Sequence, residues 1–275
     1  MEKFFATEQE DITKMDFEII DFHTHPFLRE NENLFGHKDV LNMTPEMVAE
    51  DMEQEGVSYF CGSVIGGDVK DFDGLRTINR SALALKERYG GKYIPGIHVH
   101  PDYVRESCEE IEFAEKNGIK MIGELVPYAH GWSDYSCKGF SEILDFLEGK
   151  NMPVSLHTRD LDQMEKMAKE HKNINFVFAH PGEKATVMRH IEIMRKLDNV
   201  YLDLSGTGLF RYGMLKKLIE SVGKERILFG TDYPICNLKM YIGGVLGEKI
   251  SDVEKEYIFG KNARRLLGMD RDQVD

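Results

Sequence analysis

Asp21, His23 and His25 recur at two-residue spacing within Ile19-Ile20-Asp21-Phe22-His23-Thr24-His25-Pro26. On a strand that spacing directs all three side chains to one face. Two imidazoles and a carboxylate on a rigid face have a chelating geometry, and Pro26 ends the element where strand gives way to loop. Standing alone, the motif decides little, because a histidine pair at a strand end is often a turn or surface feature. Its weight depends on what the rest of the chain brings to the same place.

More groups of the same chemical kind close short apolar runs further on. They are Glu124 in Ile122-Gly123-Glu124-Leu125, His157 in Val154-Ser155-Leu156-His157, His180 in Phe178-Ala179-His180-Pro181-Gly182, and Asp232 in Gly230-Thr231-Asp232-Tyr233-Pro234. Singly, each histidine reads more readily as a satisfied core or mouth residue than as a functional one, Glu124 reads as a polar strand end and Asp232 as a turn or helix-capping aspartate.

The elements that carry them follow a repeating order. Apolar runs around Ile19 and Ile20, then at 57–65, 93–100, 119–126, 154–158, 174–179, 200–204 and 227–230, read as buried strands. Between them lie stretches of helical periodicity, such as Leu75, Ile78, Ala82 and Leu85, opened by Thr44-Pro45 or Asp160 and closed by Gly56, Gly90-Gly91 and Gly118. Eight such units in about 250 residues predict an α/β fold, a single (β/α)8 TIM barrel over residues 1–275 with right-handed parallel crossovers. Connections from helix to strand are tight. Those from strand to helix are long at 27–43, 127–139 and 234–250, which places them at one mouth, where this architecture builds its sites. In that arrangement His23, His25, Glu124, His157, His180 and Asp232 converge.

With these residues in place, the chain resembles the amidohydrolase superfamily, and within it the amidohydrolase-2 branch of metal-dependent hydrolases, lactonases and decarboxylases related to aminocarboxymuconate semialdehyde decarboxylase. The likeness runs from Ile20-Asp21-Phe22-His23-Thr24-His25 to the closing Asn262-Ala263-Arg264-Arg265-Leu266-Leu267-Gly268. It implies that His23, His25, His157 and Asp232 are metal ligands. His180 would be a second-metal ligand, or the acid/base of mononuclear members. Glu124 is similar to the carboxylate that bridges two metals in TatD-like hydrolases. No lysine stands at the end of the fourth strand, so the carbamylated-lysine bridge of other members is unavailable.

Imidazole plus carboxylate suits Zn2+ first, then Mn2+ or Fe2+, at one or two cations per chain. A cation with an open position activates water near neutral pH, with Asp232 or His180 taking the proton and returning it to the leaving group. The expected reaction is cleavage of a C–O or C–N bond in a small organic acid, ester, lactone or amide. The alternatives are non-oxidative decarboxylation and a barrel that binds a ligand without metal turnover. A second His-x-His, His98-Val99-His100, has no acidic neighbour; His100 is assigned to the pocket wall and His98 to structure. Arg159, Tyr128, Trp132 and Arg211 lie on mouth loops, and the first three are taken as substrate-binding candidates.

Bulk properties narrow the partners. A formal charge of −13 argues against a broad phosphate-binding surface and hence against nucleic acid, though not against a local basic pocket, and leaves a small-molecule substrate as the expected partner. No signal-peptide pattern or membrane-length apolar run is read from the sequence, so a cytoplasmic location is expected; the oligomeric state is open, homo-oligomers included. Cys61, Cys108, Cys137 and Cys236 are scattered with no Cys-x-x-Cys pair, which predicts reduced packing residues.

Overall fold

The computed structural model describes residues 17–29, 43–66, 69, 71–208 and 211–269. Its strands are β1 (Ile19–Thr24), β2 (Val57–Gly62), β3 (Tyr93–Ile97), β4 (Met121–Leu125), β5 (Val154–His157), β6 (Phe176–Ala179), β7 (Val200–Asp203) and β8 (Ile227–Leu228). They pair in parallel and in chain order, each with the next. Three hydrogen bonds draw the β8 end against β1: Phe22 N–H to the Phe229 carbonyl at 2.8 Å, Asp232 N–H to the His23 carbonyl at 2.8 Å, and His25 N–H to the Tyr233 carbonyl at 2.8 Å. The result is the expected (β/α)8 barrel.

The helices are α1 (Pro45–Gln54), α2 (Phe72–Arg88), α3 (Val104–Lys116), α4 (Lys138–Leu147), α5 (Leu161–Glu170), α6 (Lys184–Lys196), α7 (Met214–Val222), α8 (Leu238–Leu246), α9 (Asp252–Glu256) and α10 (Asn262–Leu266). Their starts follow local chemistry. Thr44 accepts a hydrogen bond from Met47 N–H and Pro45 occupies the first turn of α1; Asp160 accepts from the N–H groups of Asp162 and Gln163 at the head of α5. Apolar faces of the helices then cover the sheet, with Leu75, Leu85, Ile111, Ile143, Met164 and Ile191 all buried.

Two register shifts matter for the site. Between β1 and β2 the pairing runs from Asp21↔Phe60 to Thr24↔Gly62, and between β4 and β5 from Ile122↔Val154 to Leu125↔Leu156. The extra residue lies on β1 in the first and on β4 in the second, an irregularity that re-aims side chains, at His23 in one case and Glu124 in the other. Gly96 makes the second possible. A Cβ there would sit 1.7 Å from the Gly123 carbonyl oxygen, against backbone that has no room to yield. Gly96→Ala is expected to destabilise the fold by about 1–3 kcal/mol, the usual range for forced overpacking, read as a lowered urea midpoint at constant slope. An unchanged midpoint would show that β4 can move aside.

Several sequence expectations need correction. The connection 234–250 is not one loop, because α8 lies inside it, and 127–139 opens with a short 3-10 turn at Pro127–His130. The third strand stops at Ile97, so His98 to His100 belong to the following loop. The chain closes through α9, a π-helical stretch at Tyr257–Lys261, and α10. Most of the loop expected at 27–43, and both chain ends, lie outside the described residues. All four cysteines are unpaired, and among the described residues no helix is long and apolar enough to cross a membrane.

Candidate metal centre

Glu124 is the midpoint of the polar cluster. It is 2% exposed, and its two oxygens face two different histidine pairs. Oε2 lies 3.4 Å from His23 Nε2 and 3.3 Å from His25 Nε2, whereas Oε1 lies 3.0 Å from His157 Nδ1 and 3.3 Å from His180 Nε2. Within the first pair the Nε2 atoms are 3.1 Å apart; within the second, His180 Nε2 is 3.1 Å from His157 Nδ1. Asp232 completes the first side, with Oδ1 3.5 Å from His23 Nε2 and 3.3 Å from His25 Nε2. All six expected ligands therefore meet: five form two triads that share Glu124, and Asp232 stands beside the His23–His25 pair.

The protein around the cluster fixes which nitrogen carries each proton. His25 Nδ1–H donates to the Ser63 carbonyl at 2.9 Å, and His23 Nδ1–H donates to Asp203 Oδ2 at 2.9 Å. Both Nε2 atoms are then lone pairs directed at carboxylate oxygens. A buried set of acceptors facing one another is repulsive unless protons or a cation lie between them. The donor set, imidazole nitrogen plus carboxylate oxygen with no thiolate, fits a divalent ion such as zinc, manganese or iron.

Without a cation, protons must fill that role, and the titration directions say so. Burial alone would push the His25 imidazole down, but Asp232 and Glu124 outweigh it and hold the group at about 9. His23 and His180 are raised against burial by Glu124 above all. Burial works to raise Glu124 and Asp232, yet the histidines hold both below their usual range. Asp21 is different. Burial raises it to about 7, and its carboxylate is used by the Thr231 hydroxyl and by the N–H groups of Thr231 and His23. It ties the β8 end to β1 and does not join the donor cluster, contrary to the one-face reading of Asp21, His23 and His25.

The substrate-side candidates separate into two groups. Tyr128 is 48% exposed, its ring meets His157 edge-on at 5.4 Å, and the exposed Arg159 guanidinium lies 5.6 Å from the same ring, so both stand beside the second histidine pair. His100 and Trp132 do not. His100 Nε2–H donates to the His130 carbonyl at 3.0 Å and its Nδ1 accepts from Asp102 N–H, while Trp132 is buried between Tyr135 and Phe140. Arg211 pairs with Glu183 on the surface. His98 is pinned, its backbone by Asn79 and its Nε2 by the Val64 carbonyl.

Sequence reasoning missed Asp203 and Ser205. Asp203 is the last residue of β7, the same strand-end position that singled out His157, and it is fully buried against His23. Ser205 has no comparable signal, since a lone serine after a strand is ordinary.

A family model described as Amidohydrolase matches residues 20–269. No curated protein sequence matches the chain. Among solved structures, a 2,6-dihydroxybenzoate decarboxylase from Rhizobium superposes with a TM-score of 0.74 at 16% identity, over 92% of this chain and 99% of that one. A dihydroxybenzoic acid decarboxylase from Polaromonas sp. JS666, with bound manganese and the inhibitor 2-nitroresorcinol, gives 0.70 at 16% over 93% and 98%. A Pseudomonas putida protein with a provisional 2-pyrone-4,6-dicarboxylic acid hydrolase name gives 0.67 at 15% over 95% and 100%.

Proposed function

The chain belongs to this amidohydrolase family of enzymes, and from that premise we propose that it is a metal-dependent hydrolase cleaving a C–O or C–N bond in an ester, lactone or amide of a small organic acid. The observation that supports hydrolysis is Glu124, whose separate oxygens serve separate histidine pairs. That arrangement suits two cations held side by side. Such ions, when bound, supply a Lewis acid for a carbonyl and lower the pKa of water to about 7.

The chain's own residues do the remainder. His23, His25 and Asp232 would hold one ion, His157 and His180 the other, and Glu124 both. Asp232 is the most open carboxylate of the cluster, 8% exposed against 2% for Glu124 and 0% for Asp203. It is thus the group placed to accept a proton at its carboxylate and deliver it to a departing oxygen or nitrogen. Tyr128 and Arg159 would receive the acid end of the substrate, the ring against its flat surface and the guanidinium against its charge.

Metal content of protein purified without chelator tests the reading. Two equivalents per chain support it; one equivalent transfers the weight to the decarboxylase reading, which the decarboxylases of similar fold favour; none after reconstitution removes both. Water labelled with heavy oxygen separates the reactions, since hydrolysis incorporates it and decarboxylation releases carbon dioxide instead. Arg159→Ala is expected to raise KM for an anionic substrate by about ten- to a hundredfold, the equivalent of one lost charge-assisted hydrogen bond, with a smaller change in kcat. Unchanged KM would place the acid end elsewhere.

A further inference from the structure

We propose that Ser205 is a positioning residue: its hydroxyl, backed by Asp203, fixes the tautomer and aim of His180 so that Nε2 faces Glu124. The proposal rests on the two-cation reading only for what His180 is aimed at, because the device itself is a matter of hydrogen bonding within the protein.

The assignment follows from counting protons. Asp203 Oδ1 accepts from Ser205 N–H at 2.9 Å and from the Ser205 hydroxyl in a short contact. A carboxylate oxygen cannot donate, so the single hydroxyl proton is committed to Asp203. Ser205 Oγ then offers only lone pairs to His180 Nδ1, which lies 3.0 Å away, and His180 Nδ1 must carry the ring proton. Nε2 is left as a lone pair 3.3 Å from Glu124 Oε1. Ser205 Oγ is also 3.0 Å from His23 Nδ1, so one buried hydroxyl touches a histidine from each triad.

The backbone is shaped around this contact. Gly206 has φ +64°, and a Cβ there would lie 2.3 Å from His180 Nδ1, so the turn closes directly over the ring. His180 itself has φ 66°, and its N–H points at Asp203 Oδ1 at 3.4 Å. The neighbouring loops are joined where Gly182 N–H donates to the Thr207 carbonyl at 2.9 Å. The turn after β7 therefore clasps the turn after β6, and the clasp closes on the imidazole.

Among the described residues, loss of the hydroxyl removes the one side-chain acceptor placed at His180 Nδ1. In Ser205→Ala, His180 is free to carry its proton on Nε2, the form that cannot bind a cation there. Zinc titration of the full-length protein against a chromogenic chelator should show one of two sites weakened by about ten- to a hundredfold, the usual cost of removing a group that orients a ligand, with the other site little changed. Long-range proton–nitrogen spectra of the zinc-free protein at alkaline pH give the second readout. His180 should be protonated at Nδ1 in the parent and shift towards Nε2–H in Ser205→Ala. Parent-like zinc binding at both sites in Ser205→Ala, or a His180 tautomer that is Nε2–H in the parent or unmoved by the substitution, overturns the proposal. Should the parent bind a single zinc, the two-cation reading fails, and the tautomer measured without zinc still decides the role of Ser205.

Discussion

Glu124→Gln will leave a folded protein that retains at most one tightly held metal equivalent and has lost hydrolytic turnover by at least about a hundredfold. The amide has nearly the same size, so the space the side chain fills is kept, and the hydrogen bond from the Ser63 hydroxyl to the backbone carbonyl of residue 124 does not involve the side chain. Its chemistry is not kept. One oxygen remains an acceptor, while the other position becomes an NH2 donor facing a pair of imidazoles, and the negative charge shared by both triads is gone. A second effect appears once chelator is added. In the metal-free parent Glu124 is the main countercharge for His23 and His180, and removing one partner of a buried ion pair costs about 3–5 kcal/mol. Elemental analysis, circular dichroism and thermal melts with and without chelator read these effects separately. Two equivalents of metal in the glutamine variant would show that the histidine pairs hold their ions independently and that Glu124 is not a bridge.

The parts of this site that could be read from sequence are those fixed by periodicity. His157 and His180 end apolar runs, and once eight runs imply a barrel their meeting follows from topology, although 23 residues separate them. Asp232 was legible for the same reason. What periodicity could not give is direction at an irregular strand. The side chain of Glu124 is aimed by the extra residue between Ile122 and Leu125, and the simple alternation of a strand fails there. Asp21 shows the converse: it keeps the spacing of His23 but spends its oxygens on Thr231, a partner 210 positions away.

Helix α8 was hidden by composition. Leu238, Tyr241, Ile242 and Val245 are buried at helical spacing, but Gly243, Gly244 and Gly247 interleave with them and depress intrinsic helix preference, so the stretch reads as loop. The roles of Asp203 and Ser205 were out of reach because they depend on distances of about 3 Å to residues from other strands, set by how the β6 and β7 turns interlock.

Metal removal will make the fold alkali-sensitive between pH 7 and 9, and metal-loaded protein will show little of this. His25 has the clearest sign. Its metal-free value of about 9 stands above the ordinary 6.5, so the folded state holds a proton that the unfolded chain has released. That stability is fully present below 6.5 and is lost as pH rises through 9; the shift corresponds to on the order of 3 kcal/mol. His23 and His180, also raised, act in the same direction. The buried histidines outside the cluster and the buried carboxylates finish changing before the window opens. His98 and His190, which burial pushes down to about 4, add stability as pH rises towards 6.5 and nothing more above it. Asp21, raised by burial to about 7, subtracts stability from the acid side up to that point and then stays constant. Glu124, Asp232 and Asp203 are all lowered, so their contributions are lost only in acid. The interval from 7 to 9 is thereby left mainly to the imidazoles of the cluster, joined near its upper end by the Cys61 thiol, which burial raises and which acts in the same direction once the unfolded thiol ionises at about 8.5. His25 alone gives up about 2 kcal/mol between pH 7 and pH 9, where it is still half protonated, so chelated protein should melt at least about 4–8 °C lower at pH 9 than at pH 7, taking roughly 2–4 °C per kcal/mol for a chain of this size. With ions in place of protons, the loaded protein should hold its midpoint across the same range, stabilised further by mass action at saturating metal. A chelated protein whose midpoint is flat or rises from pH 7 to 9 would mean that the histidines are not held protonated by Glu124 and Asp232, and that the cluster is not the cation-shaped set of acceptors its geometry describes.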